Sequence, residues 1–199
     1  EVVIPAKVDG RSVISIENCA FDGETSIRKV VIPSSVVALG NHAFRNCTNL
    51  SEVEGGESLD NIGFDVMENT AWLKNRQDEV AVLGGKVAVA APDTAQVTIP
   101  DGVTRLADGV FMERSSLESV ALPESLERIG EKCFIKCENL ESISLNENLM
   151  VIDSYAFYGC TKLKAIQFPA SIWMIGFYAF QGCTALNVAQ FGSDSHLQI

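Results

Sequence analysis

The stretch from Ile152 to Phe168, I-D-S-Y-A-F-Y-G-C-T-K-L-K-A-I-Q-F, followed by Pro169, decides how this chain is read. Displaced by 23 residues it fits again on either side. Ile129 and Ile175 fall under Ile152, Phe134 and Phe180 under Phe157, Cys137 and Cys183 under Cys160, and Leu140 and Leu186 under Leu163. A fixed period of about 20 to 50 residues is the mark of a solenoid, whose units cannot bury their apolar faces alone and stack on their neighbours.

Taking the isoleucine as the reference position, the register extends along the chain as Ile16, Leu39, Ile62, Leu106, Ile129, Ile152 and Ile175. Every step is 23 residues except the 44 between Ile62 and Leu106. Three residues before each reference stands an aliphatic residue, Val13 through Ile172. Five after it stand Phe21, Phe44, Met67, Phe111, Phe134, Phe157 and Phe180. Eleven after it stand Ile27, Leu50, Leu73, Leu117, Leu140, Leu163 and Leu186. Four apolar positions held through seven registers exceed coincidence.

Within each unit the pattern predicts a short alternating strand such as Val30-Val31-Ile32 or Ile166-Gln167-Phe168. Proline at 33, 123 or 169 stops the ladder because it has no N–H to donate. A second extended stretch, as in Ser171 to Ile175, ends near Gly40, Gly63, Gly130 or Gly176. A compact turn or short helix such as Tyr178-Ala179-Phe180 follows, with Ala20, Ala43, Ala156 or Ala179 small enough to let coils approach. The 44-residue interval predicts an irregular β-hairpin coil over 74–98: Asp78 to Leu83 and Lys86 to Ala90 flank the turn signal Gly84-Gly85. A second hairpin at Asp9-Gly10 accounts for the 28-residue spacing of Ile4-Pro5 and Ile32-Pro33. Residues 1–199 therefore read as one domain.

Composition narrows the partners. A net charge of -11 and a pI near 4.6 repel phosphate backbones and anionic lipid, so no nucleic acid is expected. The apolar region Val80 to Pro92 is short and holds Gly84, Gly85 and Lys86, so no membrane insertion is expected either. Glu1 stands beside the strand-like Val2-Val3-Ile4-Pro5, which reads as a fragment of a larger protein.

The pattern I-G-x-x-A-F-x-x-C-x-x-L-x-x-I-x-I-P resembles the BspA-like leucine-rich repeats of bacterial and protozoan surface proteins. It is carried by Leu39-Gly40-Asn41-His42-Ala43-Phe44-Arg45-Asn46-Cys47-Thr48-Asn49-Leu50 and by Ile175-Gly176 through Phe180, Cys183 and Leu186. The insert that opens Asn69-Thr70-Ala71-Trp72-Leu73 also resembles a segment interrupting such arrays, and the likeness covers about residues 3 to 191. Met67 for the phenylalanine, Cys133 for the alanine and Glu54-Gly55-Gly56 for the Ile-Pro depart from it. The resemblance implies a leucine-rich-repeat solenoid, right-handed, with short parallel strands and short helical turns. It implies an extracellular location, secreted or attached to the cell surface, and a binding or adhesion role without catalytic residues.

The chemistry-bearing residues agree with that expectation. Cys47, Cys137, Cys160 and Cys183 each lie three residues after the aromatic position. Equivalent Cβ atoms in a parallel stack sit about 4.8 Å apart and point the same way, whereas a disulfide wants converging vectors about 3.5–4.5 Å apart. Cys133-x3-Cys137 is not a zinc spacing. All six cysteines are therefore expected as free thiols, buried as small hydrophobes. His42 and His196 are far apart and build no triad, Glu138 and Glu141 read as a solvated face, and Asn46-Cys47-Thr48 and Asn49-Leu50-Ser51 are weak glycosylation triplets. No catalytic residue, cofactor or metal is expected.

What remains is surface. Around the last two references stand Met150, Tyr155, Tyr158, Trp173, Phe177 and Tyr178, where the middle registers hold Thr104, Asp108, Glu127, Glu131 and Lys132. Clustered exposed aromatics mark interfaces, so these six form the expected binding residues. The partner is a protein or glycan, a host surface or matrix protein among the candidates. Packing against a following coil or domain, with the chain as a structural spacer, is the alternative.

Overall fold

Two short apolar alternations, the second followed by a glycine at 40, 63, 130 and 176, give each coil two short strands, and the 23-residue period lays like strands beside each other. The structure is a computed structural model that describes residues 1–76, 80–85, 87–90 and 93–191. It divides into two units, Glu1–Val89 and Ala90–Ile199. Both are short parallel β-solenoids of the leucine-rich-repeat class.

In the first unit β1 (Val2–Val3), β2 (Lys7–Val8), β3 (Arg11–Ser12), β4 (Ser15–Ile16), β5 (Lys29–Ile32), β6 (Ala38–Leu39), β7 (Glu52–Gly55) and β8 (Asn61–Ile62) build two parallel ladders, β1-β5-β7 and β4-β6-β8. Ile16, Leu39 and Ile62 stand in register. The antiparallel pair β2–β3 takes up the extra residues between Val2 and its partner Val30. Glycine at 55 has a reason: its φ is +79°, and a Cβ there would lie 2.0 Å from the Ile32 carbonyl oxygen. The helix α1 (Ala71–Lys74) is capped by Thr70, whose hydroxyl accepts from the Leu73 N–H. After it β9 (Ala81–Leu83) and β10 (Val87–Ala90) lie hydrogen-bonded side by side across Gly84-Gly85. Residues 77–79, 86 and 91–92 of the hairpin expected over 74–98 lie outside the described residues.

The second unit contains β11 (Gln96–Thr98), β12 (Arg105–Leu106), β13 (Ser119–Ala121), β14 (Arg128–Ile129), β15 (Ser142–Ile143), β16 (Val151–Ile152), β17 (Ala165–Phe168), β18 (Met174–Ile175) and β19 (Val188–Phe191). Leu106, Ile129, Ile152 and Ile175 run in register through β12-β14-β16-β18. Inside, Phe111, Phe134, Phe157 and Phe180 stack with centroids 4.9, 5.0 and 5.1 Å apart. The first three are fully buried.

The expected helical turns are the main correction: α1 is the one helix among the described residues. An α-helix would aim every N–H along its own axis, and these turns alternate instead. Tyr155, Phe157 and Gly159 donate to the carbonyls of Phe177, Ala179 and Gln181 one coil on, at 2.9, 2.8 and 2.8 Å. Between them Ala156, Tyr158 and Cys160 donate to carbonyls three residues back. The alternation needs a left-handed residue three and seven positions after each reference, and all seven registers have both. Examples are His42 and Asn46, Lys132 and Lys136, Tyr155 and Gly159, Tyr178 and Gly182. Outside glycine and Asn/Asp such residues cost about 1–2 kcal/mol each, which the inter-coil bonds offset.

A second device explains the glycine after the reference. The side-chain oxygens of Asn18, Asn41, Asp108 and Ser154 each accept the N–H at the same place one coil later, at 2.7, 3.0, 2.8 and 3.2 Å. The residue just before each of those donors is Gly40, Gly63, Gly130 or Gly176, and a Cβ at any of them would lie within 2.7 Å of the preceding coil. Where Glu131 is too long to fill that role, the next coil carries Asp153 in place of glycine. Asp153 binds Arg128 at 2.6 and 2.9 Å. Burial beside Glu131 and Asp153 pushes the Asp108 carboxyl up to about 6, against the lowering effect of the Glu131 N–H and of Arg128.

The thiols are more than filler. Cys47, Cys137, Cys160 and Cys183 donate Sγ–H to the carbonyls of Phe21, Phe111, Phe134 and Phe157, at 3.0, 2.9, 3.1 and 3.1 Å. All six cysteines are free; five are buried, and Cys19 corrects the expectation by being exposed. Burial raises the Cys47 thiol and pushes the Cys137 thiol up to about 12.

Candidate functional site

The turn geometry places the expected aromatic residues. Tyr155 and Tyr178 occupy the first left-handed position of consecutive coils, with φ of 60° and 57°, which turns both side chains outward beside each other. Their ring centroids lie 5.3 Å apart with the planes tilted by 36°. Tyr158 lies three residues further along the same coil as Tyr155, 5.9 Å from it and tilted by 54°. The three rings line a shallow hollow of about 480 Å³ together with Lys132, Ile135 and Gln181.

The hollow thus spans two columns across three coils: Lys132, Tyr155 and Tyr178 in one, Ile135, Tyr158 and Gln181 in the other. Ile135 and Gln181 did not figure among the candidates, and Lys132 entered only as a polar counterpart, yet all three follow from a 23-residue shift of the tyrosines. The Lys132 ammonium lies 5.8 Å from the centre of the Tyr155 ring and 2.8 Å from a Glu131 carboxylate oxygen. A cation over a ring face is attracted by its quadrupole, and the Glu131 partner neutralises the charge locally.

The other three candidates lie beside this cluster. Phe177, preceding Tyr178, is 81% exposed, and its N–H donates to Ser154 Oγ. Trp173 and Met150, two residues before their references, are neighbours just before β18 and β16, the Trp173 N–H donating to the Met150 carbonyl at 3.0 Å. Both are exposed, Trp173 by 50%. Met150 also borders a hollow of about 360 Å³ with Thr104, Glu124, Ser125, Glu127, Asn148 and Ser171. The structure therefore gathers the three tyrosines closely and sets Met150 and Trp173 on the strand column. His42 lies 3.7 Å from Asp65, an ion pair when protonated, and His196 lies outside the described residues. Among the described residues no group of three His, Cys, Asp or Glu side chains gathers as metal ligands would. None of their helices is long and apolar enough to cross a membrane.

The repeat geometry has a match in sequence. The BspA type leucine rich repeat region fits residues 9–78 and 90–197 in six copies, together 178 of the 199 residues. The chain belongs to the BspA-type leucine-rich repeat family. Among solved structures it is similar to the pneumococcal vaccine antigen PcpA, at 21% identity and a TM-score of 0.57 over 94% of this chain and 56% of that one. A leucine-rich repeat protein from Bacteroides capillosus aligns at 24% identity and a TM-score of 0.50, over 58% of this chain and 100% of that chain. One from Bacteroides ovatus aligns at 27% identity and a TM-score of 0.46, over 91% and 49%. The chain thus spans about half the length of PcpA and of the B. ovatus protein. No curated protein matches the sequence.

Proposed function

We propose that this BspA-type array is an extracellular, non-enzymatic recognition and adhesion module of a larger bacterial protein, secreted or held at the cell surface. Its partner is a protein or glycan. The observation that carries this reading is the cluster of exposed Trp173, Phe177 and Tyr178 on one coil of the second unit, with exposed Met150 and half-buried Tyr155 and Tyr158 on the coil before it. At the matching places the earlier coils hold Thr104, Asp108, Glu127, Glu131 and Lys132, with Ile135 in the column of Tyr158. Aromatic side chains on a rigid backbone bring large contact area at low entropic cost, and such residues dominate binding energy at interfaces. The likeness to a vaccine antigen is in keeping with an exposed location. We also read residues 1–199 as one domain, supported by the register resuming at Leu106 after the insert.

The test is retention of beads coated with the chain on surfaces of immobilised matrix proteins and glycans. Retention on at least one surface that falls in Trp173→Ala or Phe177→Ala, with an unchanged melting temperature, supports recognition. Retention on none, or on surfaces indifferent to both substitutions, refutes it. The spacer reading, in which Trp173 and Phe177 pack on a neighbouring domain, then gains if Trp173→Ala changes only interdomain rigidity in the longer protein.

A further inference from the structure

We propose that the hollow of Tyr155, Tyr158 and Tyr178 is a subsite for neutral pyranose rings of a glycan. This inference rests on the recognition reading above and deepens it. The hollow's volume of about 480 Å³ falls within the range of about 300–1,000 Å³ of small-molecule sites.

The chemistry of the lining selects the ligand. Three rings tilted by 36° and 54° to one another present their faces and edges around a cup rather than a flat stack. A ring face is the negative part of the aromatic quadrupole, and the C–H groups on one face of a pyranose are its polarised positive complement. The hydroxyls around the sugar need both donors and acceptors. Phenol O–H groups serve as either, the Gln181 amide supplies both, and the Lys132 ammonium donates.

Charge excludes the alternatives. A cationic ligand would compete for the Tyr155 face with the Lys132 ammonium already 5.8 Å from its centre. An anionic ligand would meet Glu131, which holds Lys132 at 2.8 Å, in a chain of net charge -11. A neutral polyhydroxylated ring meets neither obstacle. The stacking of like positions at the coil repeat also lets Tyr155 and Tyr178 serve successive rings of one chain.

The experiment is saturation-transfer NMR and calorimetry of the whole chain with six neutral hexasaccharides: β-1,4-glucan, α-1,4-glucan, β-1,4-xylan, β-1,4-mannan, β-1,4-galactan and N-acetylchitohexaose. The variants are Tyr158→Ala, Tyr178→Phe, Tyr178→Gly and Trp173→Ala. Glycine at 178 suits the left-handed backbone there, so loss of the ring is separated from loss of the fold, and urea unfolding of each variant checks this. The expected result is saturable binding of at least one hexasaccharide, tighter than about 10 mM. Tyr178→Gly and Tyr158→Ala weaken it at least about tenfold, and Tyr178→Phe keeps most of it. No saturable binding, or affinity indifferent to the tyrosine substitutions, overturns the proposal. If beads still adhere to protein surfaces through Trp173 while no sugar binds, the sugar subsite falls and the recognition reading stands.

Discussion

Replacing Asp108 by asparagine should make the protein more stable at neutral pH. Asp108 Oδ1 accepts the Glu131 N–H at 2.8 Å, and an asparagine can do the same, as Asn18 and Asn41 do at the equivalent place in the first unit. What the carboxylate adds is a charge that burial strips of water, beside the further charges of Glu131 and Asp153 and with Arg128 the opposing cation. Its folded value of about 6 stands above the ordinary 3.8. The raised value means that the carboxyl's contribution is fully present below pH 3.8, lost as pH rises through 6, and absent above it. Two pKa units correspond to about 3 kcal/mol, and partial exposure of the group reduces this to about 1.5–3 kcal/mol gained by Asp108→Asn above pH 7. The assay is urea unfolding of both proteins between pH 3.5 and 8, at about half-unit steps, followed by tryptophan fluorescence. The two should coincide near pH 3.5 and separate through pH 4 to 6. A gain independent of pH, or a loss of stability at pH 7, would refute the argument that the charge, rather than the hydrogen bond, is the costly feature.

Phe157→Ala removes a fully buried ring stacked between Phe134 and Phe180 and should cost about 3–5 kcal/mol in the same unfolding assay. A loss under about 1 kcal/mol would mean that the ring stack is not the core. Gly176→Ala places a Cβ 2.3 Å from the Ser154 nitrogen and should destabilise by about 2–3 kcal/mol; a neutral result would show that the coils can separate at this point. Disulfide-exchange labelling of the native protein should modify Cys19 quickly and the five buried cysteines only on unfolding. Fast labelling of Cys137, or a bridge between Cys160 and Cys183 found by mass spectrometry, would contradict the thiol-to-carbonyl hydrogen bonds.

The period of 23 made most of the fold legible, because burial acts on side-chain type and the same four columns must be apolar in every coil. Hydrogen bonding left a fainter trace. The left-handed positions hold Lys132, Glu113, His42 and Tyr155 as well as glycine, so no residue type announced them, and a compact apolar turn was read as partly helical. The pairing of a glycine with a small polar side chain one coil earlier was legible in principle, since Gly40, Gly63, Gly130 and Gly176 follow Asn18, Asn41, Asp108 and Ser154 by 22 residues each. It required asking what a missing Cβ makes room for. Cys19 stands at a left-handed turn position rather than three residues after an aromatic, which is why it escaped burial. The tyrosines were found by setting the last two registers against the middle ones, but their grouping with Lys132, Ile135 and Gln181 required shifting them by 23 residues onto the neighbouring coils.

The reach of the side-chain hydrogen bonds has a kinetic consequence. Those between coils span 22 to 26 residues, from Ser171 with Leu149 to each cysteine with its phenylalanine carbonyl, and 29 for Ser35 with the Ala6 carbonyl, where the β2–β3 hairpin lengthens the coil. Each coil that docks closes a loop of the same length, and the entropy of closing it does not grow with the number of coils already in place. Within each unit, folding therefore proceeds by repeated steps of similar height. Lengthening such a unit adds steps without raising any one of them.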